Sequence, residues 1–166
     1  MKSFDELFLQ TRVVAILRKV EPNLLCDVLG ALYDGGIRLA EITYDHSGEI
    51  SDETIAKNIR AAHEHMSGRM YIGAGTVTRA SQVELTASVG GSFIISPNTD
   101  AEIIKLSRKH GLISMPGAMT VSEISTALDA GADYVKLFPA SSLGPKFVKA
   151  VLAPFSDARL VAVSGV

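Results

Sequence analysis

The feature that most constrains this chain is an alternation that never breaks. A short apolar run is followed by an amphipathic stretch, and the pair recurs to the end. The apolar runs lie at 13–18, 39–44, 70–77, 93–97, 112–117, 134–138 and 159–166. Near-continuous apolar runs suit strands buried on both faces, as in a parallel sheet covered by helices. Helices are expected over 22–34, 52–66, 80–89, 100–110, 121–130 and 145–152, after a leading helix over 1–11 with Phe4, Leu7 and Phe8 at helical spacing. Pro22 fits a helix start and Ser51 an N-cap; Gly35-Gly36, Gly68, Gly90-Gly91, Gly111 and Gly131 supply stops. Strands alternating with helices predict right-handed crossovers in a parallel sheet, either a (β/α)8 TIM barrel or an open doubly wound sheet. The barrel is favoured because polar or special residues recur at the ends of the runs: Arg18, Glu41, Thr76, Ser96, Pro116, Lys136 and Ser164. In a barrel these ends converge on one mouth. No G-x-G-x-x-G follows the first run, which counts against a dinucleotide fold. The pattern is one βα unit short of the eight that remove a barrel's edges. Residues 1–166 are therefore expected to form a single (β/α) barrel domain, C-terminally incomplete.

One run carries a charge where a charge is unusual. In Asp133-Tyr134-Val135-Lys136-Leu137-Phe138-Pro139-Ala140, a lysine interrupts strand-forming apolar residues. In a strand, Tyr134, Lys136 and Phe138 share one face. Two readings are open. Lys136 snorkels to water from a strand end, or it is a desolvated amine whose exposed lone pair is nucleophilic. Glu41 poses the same question among Leu39, Ala40, Ile42 and Thr43. It is either the ion-pair partner of Lys136 or Arg18, or a carboxyl raised by burial into the range of a proton shuttle. A carboxylate and an amine, both in apolar strands and with no ligand cluster nearby, point to imine chemistry.

Other signals are weaker. Arg18 suits a carboxylate or phosphate, or a rim ion pair. Gly73-Ala74-Gly75-Thr76 lets a ligand approach backbone closely, or relieves crowding inside the barrel. Ser164-Gly165 lies where barrels often hold phosphate on backbone N–H groups. The four histidines, His46, His63, His65 and His110, match no common metal-ligand spacing, so no metal and no cofactor is expected. A net charge of -2, from 16 basic and 18 acidic residues without a basic block, gives no support to nucleic-acid binding. The lone Cys26 cannot form an internal disulfide and suits a cytoplasmic protein. No apolar run approaches the roughly 20 residues of a membrane helix, and the acidic N-terminus does not suit a signal peptide.

The runs at 13–18 (Val13 to Arg18), Glu41-Ile42-Thr43, Gly73-Ala74-Gly75-Thr76-Val77, Ser96-Pro97-Asn98, Pro116-Gly117, Lys136-Leu137-Phe138-Pro139 and Val163-Ser164-Gly165-Val166 come in the order of one family. From about residue 12 onward the chain resembles the class I 2-keto-3-deoxy-6-phosphogluconate aldolases, a family that includes 4-hydroxy-2-oxoglutarate and 6-phospho-galactonate aldolases. Ser96-Pro97-Asn98 and Ser141-Ser142-Leu143-Gly144-Pro145 resemble the galactonate branch more closely. The resemblance implies a (β/α)8 barrel, usually a homotrimer, without metal. It implies that Lys136 forms a Schiff base, that Glu41 shuttles protons and that Thr76 helps hold the pyruvate carboxylate. Arg18 closes the first strand as in the family, and Pro97, Phe138, Ser164 and Gly165 complete the expected substrate-binding set. Some members carry a substrate arginine where this chain has Asp45, and two glycines where it has Ser164-Gly165. The expected activity is retro-aldol cleavage of a phosphorylated keto acid, a small-molecule substrate. The alternatives are a phosphosugar isomerase or decarboxylase on the same barrel, and a non-catalytic phosphosugar-binding protein.

Overall fold

The computed structural model describes residues 2–165. Met1 and Val166, the outer ends of the first expected helix and the last expected strand, lie outside the described residues. Helix α1 (Phe4–Thr11) leads into β1 (Ala15–Leu17), α2 (Leu25–Asp34), β2 (Leu39–Thr43), α3 (Asp52–His65), β3 (Tyr71–Gly75), α4 (Ala80–Ser88), β4 (Phe93–Ile95) and α5 (Ala101–Lys109). Then follow β5 (Ile113–Met115), β6 (Gly117–Ala118), α6 (Val121–Asp129), β7 (Val135–Leu137), α7 (Ala140–Val151) and β8 (Leu160–Ala162). Every ladder is parallel, in the orders β1-β2-β3-β4-β5 and β6-β7-β8. β5 and β6 are the two halves of the run expected at 112–117. Pro116, which has no N–H to donate, divides them, while its carbonyl still accepts from Lys136 N–H at 2.9 Å. The sheet thus bends from one half into the other as a curved wall. Among the described residues no ladder joins β8 to β1, so the ring of strands is open along that seam.

Helix starts follow local chemistry. Ser3 and Glu6 cap α1 reciprocally, as Thr120 and Glu123 cap α6, and Ser51 accepts from Thr54 N–H at 3.2 Å. The helix expected over 145–152 begins earlier, at Ala140. Its first turn stops at Gly144, with φ 71 and ψ 172, and Pro145 restarts it where a missing N–H costs nothing. No helix among the described residues is long and apolar enough to cross a membrane.

Side-chain alternation splits the strands into two faces. Ala40, Ile42, Ile72, Ala74 and Ile94 pack outward under α2, α3 and α4, and Val135, Leu137 and Ala118 pack under α6 and α7. The inner face carries Leu39, Phe93, Ile95, Met115 and Tyr134, onto which α1 presses Phe4, Leu7 and Phe8. Leu39 and Tyr134 stand one pleat before Glu41 and Lys136 in parallel strands, so α1 plugs the end opposite the mouth. The Phe8 ring meets Tyr134 edge-on at 4.8 Å, and Phe4 meets Phe93 at 5.5 Å. Asp5 pins the helix: it accepts from the Tyr134 hydroxyl and from Arg159, each at 2.7 Å.

Phe8→Ala removes the ring that joins plug to sheet, and should cost about 3 kcal/mol of unfolding free energy. Urea unfolding measures this; a loss within experimental error would show that α1 does not hold the inner core.

Candidate active site

Glu41 lies in the middle of β2, not at its end, on the inner face with Leu39 and Thr43. Ile16 and Gly73 are its ladder neighbours. It is 3% exposed, and its Oε2 is buried with no hydrogen-bond partner among the described residues. A Cβ on Gly75 would lie 2.6 Å from the Glu41 carboxyl, and one on Gly73 would lie 2.5 Å from the Phe93 ring. The glycines thus relieve crowding: Glu41 and Phe93 fill the space. The ion pairs among the described residues are Lys19–Glu49, Arg79–Asp52 and Arg159–Asp5. Glu41 is in none of them, so the ion-pair reading of this residue fails. Burial raises its carboxyl from 4.5 to about 7, against the opposing pull of Lys136 and Arg18.

Lys136 occupies the centre of β7, between Gly117 and Val161. It is half-buried. Burial lowers its ammonium below the usual lysine range, Glu41 opposes that shift, and Arg18 reinforces it. The Phe138 ring lies 4.8 Å from Nζ, while Tyr134 points down to the α1 plug. A cavity of about 270 Å³ brings Lys136 and Glu41 together with Ser164 above a floor of Phe8, Ile95 and Met115. Sequence spacing could not have found Phe8 there, because α1 is far from both strands in the chain.

The remaining expected residues distribute unevenly. Arg18 and Thr76 share a second cavity of about 310 Å³ with Thr43 and His46. Pro97 abuts β6, the strand that pairs with the Lys136 strand: its carbonyl would meet a Cβ on Gly117 at 2.3 Å. Ser164 reaches the Lys136 cavity with a left-handed φ of 75, and its carbonyl accepts from Ser141 N–H at 3.1 Å. Gly165 does not reach that cavity. It packs on Ser141 and lines a separate groove of about 800 Å³ under α7, on the outer face. No group of three or more His, Cys, Asp or Glu among the described residues could hold a metal. His46, set aside in the sequence for lack of ligand spacing, stands at the mouth. Its position two residues beyond Tyr44, in the loop after β2, was the available signal.

The arrangement offers an amine whose ammonium form is weakened by burial, and a carboxyl that exchanges its proton near neutrality. Together these suit formation of an imine and movement of protons around it.

Comparison with known proteins agrees. The family model described as KDPG and KHG aldolase matches residues 4–166. The chain is 37% identical over 155 residues to a protein of Rhizobium meliloti named a probable 2-dehydro-3-deoxy-6-phosphogalactonate aldolase, covering 93% of this chain and 70% of that one. It is 35% identical to the 2-dehydro-3-deoxy-6-phosphogalactonate aldolase of Escherichia coli, covering 93% of this chain and 73% of that one. Among solved structures, a KDPG aldolase from Legionella pneumophila, with pyruvate captured as a covalent carbinolamine, superposes with a TM-score of 0.84 at 25% identity. That match covers 96% of this chain and 75% of that one.

The raised Glu41 carboxyl has a stability consequence. Between 4.5 and about 7 the folded chain holds a proton that the unfolded chain has released, so stability falls as pH rises through that window. The loss is about 3 kcal/mol, by the free-energy equivalent of a pKa difference. Urea unfolding at pH 5 and pH 8 should show Glu41→Gln losing less stability than wild type by about this amount; equal losses would contradict the burial argument.

Proposed function

The chain belongs to the KDPG and KHG aldolase family, and from that premise we propose that it is a lysine-dependent aldolase cleaving a 2-keto-3-deoxy-6-phospho sugar acid. The observation that carries the reading is the unpaired Oε2 of Glu41, buried in the cavity that also holds Lys136. Such an oxygen is costly unless something fills the space beside it, and a substrate hydroxyl or a transferred proton meets that need.

The neutral amine of Lys136 attacks the C2 ketone to give a carbinolamine. Protonated Glu41 supplies the proton with which the C2 hydroxyl leaves as water, forming the iminium and leaving Glu41 a carboxylate. The carboxylate takes the C4 hydroxyl proton, the C3–C4 bond breaks, and its electrons flow into the iminium to give an enamine. Glyceraldehyde 3-phosphate departs. Glu41 returns its proton to C3, and water hydrolyses the iminium to pyruvate and free Lys136. A carboxyl whose two forms are both populated near pH 7 serves each step.

Arg18 and Thr76 would hold the keto-acid carboxylate; Pro97 and Phe138 would wall the reacting carbons, with the phosphate beyond them toward Ser164. Phosphogalactonate is the favoured epimer, since relatives at 37% and 35% identity carry that name. By its resemblance to the family the enzyme would work in the cytoplasm as a homotrimer.

Borohydride reduction with pyruvate, followed by peptide mapping, tests the reading. The expected result is one adduct, on Lys136. Lys136→Ala should fold, form no adduct and lose at least about 10^4-fold in cleavage rate. An adduct on another lysine, or an unimpaired Lys136→Ala, would overturn the assignment.

A further inference from the structure

We infer that His46 is a positioning residue: it holds Thr76, and through it the carboxylate end of a bound keto acid, at the mouth of the sheet. The inference rests on the aldolase reading above. It begins with the backbone just past β3. Thr76 has φ 58, in the left-handed region. A β-branched residue is a genuine outlier there and stays only where its surroundings impose it.

The residues on either side are held by ordinary backbone bonds. Gly75 accepts from Tyr44 N–H at 2.9 Å, and Val77 N–H donates to Ile95 at 3.2 Å. The Thr76 carbonyl is held by a side chain instead: His46 Nε2 lies 2.8 Å from it. A carbonyl has no hydrogen to give, so Nε2 carries the proton and donates. The Thr78 hydroxyl lies 3.4 Å from the same nitrogen.

His46 is itself held in place. The preceding Asp45 folds its loop, accepting from the Ser47 hydroxyl at 2.7 Å, from Glu49 N–H at 3.0 Å and from Ile50 N–H at 3.1 Å. These bonds, that of the Ser47 side chain first, hold the Asp45 carboxyl down at about 2, so the loop keeps its form throughout the neutral range. Asp45 thus folds the loop that aims the His46 imidazole. His46 and Thr76 line the same cavity as Arg18, which forms no ion pair among the described residues. Lys19 in the same cavity is paired with Glu49, so the cavity offers the Arg18 guanidinium and the Thr76 hydroxyl to a carboxylate, and His46 decides whether that hydroxyl is presented.

Borohydride trapping, measured against pyruvate concentration, separates positioning from chemistry. His46→Ala should raise the half-saturating pyruvate concentration about tenfold, the scale of releasing a strained left-handed residue, with the maximal adduct on Lys136 unchanged. His46→Gln, whose side-chain amide can reach the same carbonyl, should return the value to within about threefold of wild type. An unmoved midpoint in His46→Ala, a His46→Gln as impaired as the alanine variant, or a reduced maximum at an unmoved midpoint would each overturn the inference. So would failure of His46→Ala to fold by circular dichroism, which would make the role purely structural. Absence of any adduct in the wild-type protein would instead overturn the aldolase reading and this inference with it.

Discussion

The proposed chemistry at the mouth of this sheet depends on one costly arrangement: a carboxyl buried in a strand with an oxygen that no group among the described residues satisfies. An ionised carboxylate in that place lacks the water that would solvate it, a penalty of several kcal/mol even after relaxation. The protein does not remove the penalty by closing an ion pair. It leaves Lys136 and Arg18 near enough to pull on Glu41 and too loosely placed to neutralise it. Carboxyl and amine thus meet in a state where each is easily converted to its neutral form, which is what a reversible imine reaction requires.

The scaffold serves that arrangement from both ends. Below, the aromatic residues of α1 and the inner face exclude water from beneath the pair. Beside it, Gly73 and Gly75 take no space of their own, so that Phe93 and the Glu41 carboxyl can occupy it. Above, the mouth is polar, one loop tied within itself by Asp45 to Glu49 and Ile50 and to the next by His46 to Thr76. The division follows barrel logic: stability accumulates at the N-terminal ends of strands and function at their C-terminal ends. Here Glu41 and Lys136, the two residues proposed to react, lie one pleat inside the boundary, in mid-strand.

Much of this was legible from the residues. Strand and helix alternation is a long-period pattern that local propensity and glycine punctuation both support, and a charge inside an apolar run is conspicuous because burial penalises it. Three things were not legible. The division of one strand at Pro116 depends on which neighbour each half pairs with. The early start of α7 is hidden because Gly144-Pro145 reads as a beginning rather than a kink. The roles of Phe8 and His46 arise from contacts between distant segments, Phe8 with Tyr134 and His46 with Thr76, and no periodicity encodes such contacts. Gly165 shows the converse: its neighbour Ser164 enters the reactive cavity, but a left-handed turn carries Gly165 itself away to α7.

The central claim is that Glu41 is a proton carrier at neutral pH because it is buried and unpaired opposite an amine. Carbon-13 NMR of the glutamate side-chain carboxyl carbons, assigned through Glu41→Gln and followed across pH, measures that property without any substrate. The account predicts a Glu41 midpoint at about 7. A midpoint at the ordinary glutamate value near 4.3 would contradict it.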